Sequence, residues 1–386
     1  MNKIIEAVKK GTPIYLEPYR EPKVWGVGGI GEYWYGAEAG KKSSVAVIEN
    51  NRAPMAALID ALPEEVLGEG VIASFGRLLP LVKILTPKGR LSVQFHDAKN
   101  ELWVITGIDA SVADSGARII IGFDPAMIKK YKDNISREYR KSLDNYGKVL
   151  NDLIGALEEK GHSDTLVKTR DVLIAALKIK DDDPKIKEGI NLLLNAGKEL
   201  DRFYNYVEVK IGDVIPVPQG TLHALGPGIE VVEPQIPGPT QSLEDGATYP
   251  VRYYFPGYSP DNGGKELDLD RIDEMSTCAW EPEKPGILHD DGAVRVERLP
   301  GGFENKGMAV DRITMASGAV LDSGDIKSYH TLVAVKGLAK VTVKGRDHDI
   351  PRAVPGGSMI LIPAIIGSYS IKAETDSQII DTYTPV

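Results

Sequence analysis

Short β-branched and aromatic runs, broken by glycine and proline, dominate the first ~120 residues: SSVAVIEN, LLPLVKIL, RLSVQFH, ELWVITGI and ARIIIGF. Runs of this length and composition predict strands, because branched and aromatic side chains pack well on a pleated surface. MAALIDALPEEVL predicts one helical interruption. From Pro125 to Tyr204 the period changes. Leu150, Leu153, Ile154 and Leu157 recur at i, i+3, i+4 and i+7, the stripe of an amphipathic helix. KDDDPKIKEGINLLLNAGKELDRF predicts a further helix opened by Pro184 in its first turn. Strand character resumes after Tyr204, so this block of about 80 residues is expected as an insertion whose charges form a solvated face.

From about Gly286 onward the chain is again strand-rich, with VRVERL, GMAVDRITM, HTLVAVKG, AKVTVKG, GSMILIPA and SYSIKA. VPGGSMILIPAIIGSYSI echoes the earlier VKIGDVIPVPQGTLHAL: in both, a glycine starts a strand that ends at proline and a small-residue turn. Two related β-barrels are implied. The division expected is 1–124 with 205–285 as one domain, 125–204 as the helical insertion, and 286–386 as a second β domain.

At 386 residues, with 42% hydrophobic content, the chain is long enough for two or three domains with sizeable cores. A net charge of -9 argues against sequence-independent nucleic-acid binding, which needs a basic face. The segment MNKIIEAVKKGTPIYLEPY lacks the apolar core of a secretory signal, and no run approaches a membrane span. A single cysteine, Cys278, excludes an intrachain disulfide and points to a reducing cytoplasm.

The candidate chemistry sits in two stretches about 120 residues apart, LSVQFHDAKNELW and VPQGTLHALGPGIEVVE. On a strand, Gln94 and His96 point the same way. Glu101 lies five residues beyond His96, so the chain must turn through DAKN to bring it to the same point. His223 follows the turn PQGT and completes a mixed nitrogen and oxygen set suited to a divalent metal of the zinc type. A lone histidine beside a turn is more often a hydrogen-bonded structural residue than a ligand; it is the combination that carries the metal hypothesis. The second copy of the pattern reads PAIIGSY, without a histidine, so that barrel is expected to lack metal, and His330 and His348 are expected to be surface or structural residues.

On these motifs the chain resembles the type I mannose-6-phosphate isomerases, zinc enzymes of the cupin superfamily. PKVWGVGGIGEYWYGAEAGKKS resembles the family's opening segment, LLPLVKILTPKGRLSVQFH the stretch leading to its Q-x-H motif, KNELWVI the region of its glutamate ligand, and VPQGTLHALGPGIEVVE the segment of its last histidine. The resemblance implies a mainly β fold of two cupin-type jelly-roll barrels plus a helical domain. The metal would lie in the first barrel and the 286–386 barrel would carry none. It implies one zinc ion per chain on Gln94, His96, Glu101 and His223. It also implies Glu233, Arg252 and Lys99 as catalytic positions, and Ser92, Lys99, Lys265 and Arg252 as contacts to the sugar phosphate. Two stretches depart from the family pattern: His96 runs directly into DAKNE, and PQIPGPTQSLEDGATYPVR replaces a more compact segment after Glu233.

The activity implied is interconversion of mannose-6-phosphate and fructose-6-phosphate through an enediol-like intermediate, by a cytoplasmic monomer or homodimer that binds neither nucleic acid nor membrane. Such a site needs a proton carrier and a group that holds the developing oxyanion. Glu233 is the expected proton carrier, with Arg252 and Lys99 stabilising negative charge. Two rival readings remain: a cupin isomerase or epimerase acting on another sugar phosphate, and a non-catalytic sugar-phosphate-binding bicupin. The latter would have lost a ligand or the proton-transfer carboxylate, and all five residues are present.

Overall fold

A computed structural model of the chain describes residues 1–236 apart from 38–41, 77–79, 90, 97–98, 114–115, 170–171 and 180–181, together with 251–254, 272 and 275–386. Four antiparallel sheets and a block of helices are stacked in layers, and the alternation of side chains along each strand decides which layer a residue faces. The strands expected from ELWVITGI and ARIIIGF form at Glu101–Ile108 and Arg118–Phe123.

The helices Pro125–Tyr131, Ile135–Glu159, Ser163–Thr169, Val172–Ile179 and Pro184–Asp201 lie between two strands, Arg118–Phe123 and Tyr204–Glu208, that pair directly with each other. The helical block therefore leaves one sheet and re-enters it at the neighbouring position. Aspartate followed by proline opens both flanking helices: Asp124 accepts from the backbone N–H of Ala126 and Met127, and Asp183 from that of Lys185. Each carboxylate satisfies helix N–H groups that have no partner within the helix, and each proline sits where its missing N–H costs nothing. The inner stripe of the long helix, Tyr139, Leu143, Leu150, Leu153 and Leu157, packs with Val93, Phe95, Phe123 and Ala224 of a five-stranded sheet.

That sheet runs in the order Tyr204–Glu208, Arg118–Phe123, His223–Ala224, Val93–Phe95 and Val251–Tyr254. Its other face, with Ile119 and Ile121, shares a core with Leu85, Trp103, Ile105, Ile215 and Val231 of a six-stranded sheet. The six-stranded sheet runs Val214–Val217, Glu101–Ile108, Ile229–Gln235, Leu81–Leu85, Ile30–Tyr35 and Tyr19–Val27. Its strands are buried on both sides. Val82, Ile84, Leu102, Val104 and Val232 face away from the first core, toward a second one with Ile14, Leu16, Val310, Val333 and Leu361. Burial on both faces explains why Leu81–Leu85 and ELWVI read as continuous apolar runs rather than alternating ones.

The second core belongs to a nine-stranded sheet in which the strands Ile14–Glu17, Val45–Ile48 and Asn51–Pro54 extend the C-terminal strands, with Ile14 paired to Leu361 and Leu16 to Met359. Local pattern holds no signal for this long-range pairing. A four-stranded sheet, Val320–Asp322, Ser370–Ala373, Ala339–Val343 and Arg346–Asp349, covers the last core. Among the described residues no sheet closes on itself into a barrel. MAALIDALPEEVL splits at Leu62 into Met55–Ala61 and Pro63–Leu67, because Pro63 cannot continue the first helix. No helix among the described residues is long and apolar enough to cross a membrane.

Phe123 joins the helices to the five-stranded sheet: it is fully buried, and its ring meets that of Tyr139 edge-on at 5.3 Å. Phe123→Ala is expected to destabilise the fold by about 3–5 kcal/mol. Thermal denaturation followed by circular dichroism checks this, and an unchanged midpoint would refute it.

Candidate metal centre

Between the five- and six-stranded sheets the apolar core gives way, at one end, to a group of buried ionisable side chains. Strand register places them. Gln94 pairs with His223 across the five-stranded sheet, and Arg252 pairs with Gln94 on the other side. Val93 and Phe95 face the helices, so Gln94 and His96 face the other way, toward the six-stranded sheet. His223 also pairs with Ile121, whose side chain lies in the core between the sheets. The segments of Gln94 and His223 are thus neighbours in one sheet.

Two turns bring the segments together. Gly220, at φ +81°, takes a left-handed conformation that suits glycine, and its N–H donates to the carbonyl of His96 at 2.7 Å. Asn100 fastens the other turn: its side-chain oxygen accepts from the N–H of Gln219 at 3.1 Å, and its carbonyl from the N–H of Ile236 at 3.0 Å. Glu101 begins its strand opposite Gln235 and Val217.

His96, Glu101 and His223 are all buried, and ligand-type atoms of the three lie within 4.8 Å of one another. His96 Nε2 is 3.0 Å from Glu101 Oε1, and His223 Nε2 is 3.9 Å from Glu101 Oε2. The imidazole rings are tilted, with centroids 4.8 Å apart. Among the described residues, Nε2 of both histidines is a buried nitrogen without a hydrogen-bond partner, so the approach of His96 to Glu101 is a close contact rather than a hydrogen bond. Orphaned buried polar atoms are costly and call for an explanation. His223 Nδ1 meets the Thr221 carbonyl at 2.7 Å, which fixes the N–H on Nδ1 and leaves the Nε2 lone pair directed into the group.

The electrostatics agree with a cation site. Burial, then the charge of Lys99, push His96 down to about 3, and burial lowers His223 as well, so both rings are neutral at pH 7 as metal ligands must be. Burial alone would raise Glu101, but the charge of Lys99, 2.5 Å from Oε1, holds it well below the usual carboxylate range. Two neutral imidazoles and one carboxylate, converging with unshared lone pairs, fit zinc. This group could hold a metal ion, and Gln94 pairs with His223 in register.

Glu233 lies on the face of the six-stranded sheet that carries Glu101. It is 3% exposed and pairs in register with Lys83, whose ammonium is 3.5 Å from Glu233 Oε1. Burial first, then the negative charge of Glu101, push Glu233 up to about 8 against the pull of Lys83 and Lys99. A carboxyl that exchanges its proton near neutrality is suited to acid–base chemistry.

The remaining expected residues fall as follows. Lys99 is at the centre, paired with Glu101. Ser92 is buried one residue before the strand that carries Gln94. Arg252 is placed by its backbone beside Gln94. Lys265 lies outside the described residues. His330 is 12% exposed and pairs with Asp381 at 2.7 Å in the C-terminal half, a structural role of the kind expected. Sequence reasoning missed Lys83, Glu32 and Trp34. A signal existed for each carboxylate and for the lysine: an ionisable residue inside an apolar strand, LVKIL, IGEYWY and IEVVEPQ, is expensive to bury and therefore paired.

Solved structures of the same architecture exist. The chain resembles mannose 6-phosphate isomerase from Bacillus subtilis with 16% identity and a TM-score of 0.62, over 96% of this chain and 99% of that one. An arginine-to-alanine variant of phosphomannose isomerase from Salmonella typhimurium is 15% identical, with a TM-score of 0.66 over 97% of this chain and 100% of that one. A zinc-bound mannose 6-phosphate isomerase is 16% identical, with a TM-score of 0.64 over 97% and 100%. At these identities the likeness is one of fold. No protein-family model matches the chain, and a search of curated proteins finds no match either.

The raised Glu233 has a consequence for stability. The folded chain holds this proton more tightly than the unfolded one, whose carboxyl has the ordinary value of 4.5. The contribution is therefore fully present below pH 4.5 and is lost as pH rises through about 8. Thermal denaturation of metal-free protein at pH 5 and pH 9 is expected to show wild type losing stability relative to Glu233→Gln. Parallel behaviour of the two would mean that Glu233 titrates normally.

Proposed function

We propose that the protein is a zinc-dependent aldose–ketose isomerase that interconverts mannose-6-phosphate and fructose-6-phosphate. The observation that carries this reading is the buried trio His96, Glu101 and His223, two imidazole nitrogens without partners beside a carboxylate, with Glu233 on the same sheet face as Glu101. The shared fold with phosphomannose isomerases, one of them zinc-bound, supports it. In this reading the two sheet pairs are cupin-type jelly rolls, with the metal in the one that carries the helical insertion.

One zinc ion per chain would be held by Gln94, His96, Glu101 and His223, where it supplies Lewis-acid polarisation of sugar oxygens. Glu233 moves the proton between C1 and C2. Its ionised form takes the proton from C2 of the aldose to leave an enediolate, the O2 hydroxyl proton passes to O1, and its acid form returns the proton to C1 as the C2 carbonyl of the ketose forms. Lys83, 3.5 Å from Glu233, adds a positive charge beside the oxygens on which negative charge develops. Lys99 anchors Glu101 and contributes to the same field. The phosphate dianion is assigned to Arg252, Lys265, Lys99 and the Ser92 hydroxyl through charge-assisted hydrogen bonds. We place the enzyme in the cytoplasm on the strength of its lone Cys278.

The stretch PQIPGPTQSLEDGATYPVR after Glu233, which departs from the resembled family, keeps a second reading open: an isomerase or epimerase acting on a different sugar phosphate. A coupled assay of mannose-6-phosphate conversion, before and after chelation and zinc add-back, decides. Activity is expected to vanish on chelation and return with zinc. His223→Ala is expected to lose both metal and turnover, whereas Glu233→Gln keeps the metal and loses turnover by roughly 10²- to 10⁴-fold. Bound zinc without conversion would move the assignment to another sugar phosphate.

A further inference from the structure

Lys83 is the most deeply buried lysine of the site, at 6% exposure, and two carboxylates hold its ammonium at equal distance: Glu233 Oε1 at 3.5 Å and Glu32 Oε2 at 3.5 Å. The arrangement follows from register. Trp34 pairs with Lys83, and Lys83 pairs with Glu233, so the three form one row across adjacent strands, with Glu32 two residues from Trp34 on the same face. The indole of Trp34 completes the setting. Its ring lies 4.9 Å from the ammonium, and its N–H donates to Glu32 Oε2 at 2.8 Å.

Glu32 does not depend on Lys83 alone for its charge. Lys23 lies 3.2 Å from Oε1, and Lys23, Lys83 and the Trp34 N–H together overcome burial and lower Glu32 to about 2. Glu32 is thus a fixed negative charge, clamped from outside the site by Lys23 and from below by the indole. A fixed charge of this kind competes with Glu233 for the lysine between them.

We propose that Glu32, held by Trp34 and Lys23, is a positioning residue that keeps the Lys83 ammonium shared between two carboxylates instead of committed to Glu233. The proposal rests on the reading of Glu233 as the proton carrier of an isomerase. An ammonium committed to Glu233 would hold that carboxylate ionised and occupied, while a shared one stays near enough to stabilise charge and leaves Glu233 free to take up a proton. Among the described residues, the charged groups that act on Glu233 are Lys83 and Glu32 from the two strands on one side, Glu101 from the strand on the other, and Lys99 just before that strand. Removing Glu32's charge withdraws one of the influences that raise Glu233 and releases the cation that lowers it, so both changes act in the same direction.

The test uses the zinc-loaded full chain and the variants Glu32→Gln, Glu32→Asp and Trp34→Phe. Glu32→Gln is expected to lower kcat by roughly 10- to 100-fold, with KM and bound zinc unchanged, and to move the pH profile of kcat to lower pH. Glu32→Asp keeps the charge and is expected to recover part of kcat. Wild-type kcat and pH profile in Glu32→Gln would overturn the proposal, as would a loss in Glu32→Asp as large as in Glu32→Gln. Should Glu32→Gln fail to fold, Trp34→Phe carries the same test: it removes the N–H that fixes Glu32, and reduced kcat at constant KM and zinc content supports the role while unchanged kcat refutes it. Should wild type not convert mannose-6-phosphate at all, the functional reading fails separately. The positioning role is then read from the infrared carboxylic C=O band that Glu233→Gln abolishes. Its titration midpoint moves to lower pH in Glu32→Gln if Glu32 shares Lys83, and stays in place if it does not.

Discussion

The space between the five- and six-stranded sheets holds more buried charge than an apolar core tolerates, and the local structure around it is arranged to meet that cost. His96, Glu101, His223, Lys83 and Glu233 are each less than a tenth exposed. Taking isolated ions out of water costs several kcal/mol each even after relaxation, so such groups persist only when they neutralise one another or bind a counter-charge. Glu32, Lys83 and Glu233 form an alternating row, and Lys99 partners Glu101. The two imidazole Nε2 atoms have no hydrogen-bond partner among the described residues, and this residual cost gives the trio its capacity for a cation.

The scaffold that sustains this cost is stiff because the six-stranded sheet is covered on both faces. One face closes on the five-stranded sheet and the site, the other on the core shared with the nine-stranded sheet. Three N-terminal strands within the C-terminal sheet tie the two halves of the chain together, so the metal-ligand strands rest on a layer built from both ends of the sequence. The helical block buttresses the opposite side through Val93, Phe95 and Phe123. Side chains carried on paired strands and on segments fastened by Gly220 and Asn100 are preorganised, as the proposed metal centre requires.

Strand and helix positions were largely legible from local pattern. ELWVITGI, ARIIIGF and the stripe at Leu150, Leu153 and Leu157 carry periodicities that local sterics impose, and Asp124 and Asp183 announce helix starts by their own hydrogen bonds. The trio His96, Glu101 and His223 was legible for a different reason: imidazole and carboxylate are a short menu for a divalent metal, and the spacing of Gln94 and His96 on a strand already put them on one face. Lys83, Glu32 and Trp34 were not found, since a lysine in an apolar run shows only that it must be paired, not with what.

What the sequence determined by itself was therefore short-range: the strand and helix periods, the helical insertion between 125 and 204, and the donor types of a metal group. The tertiary structure decided the rest. Register across strands about 50 to 150 residues apart set Trp34 opposite Lys83, Lys83 opposite Glu233 and His223 opposite Gln94. It also laid Ile14–Glu17 against Met359–Ile362. The physical reason is that strand pairing is made by backbone hydrogen bonds common to all residues, so partners are selected by the fit of whole buried faces and not by any local sequence signal.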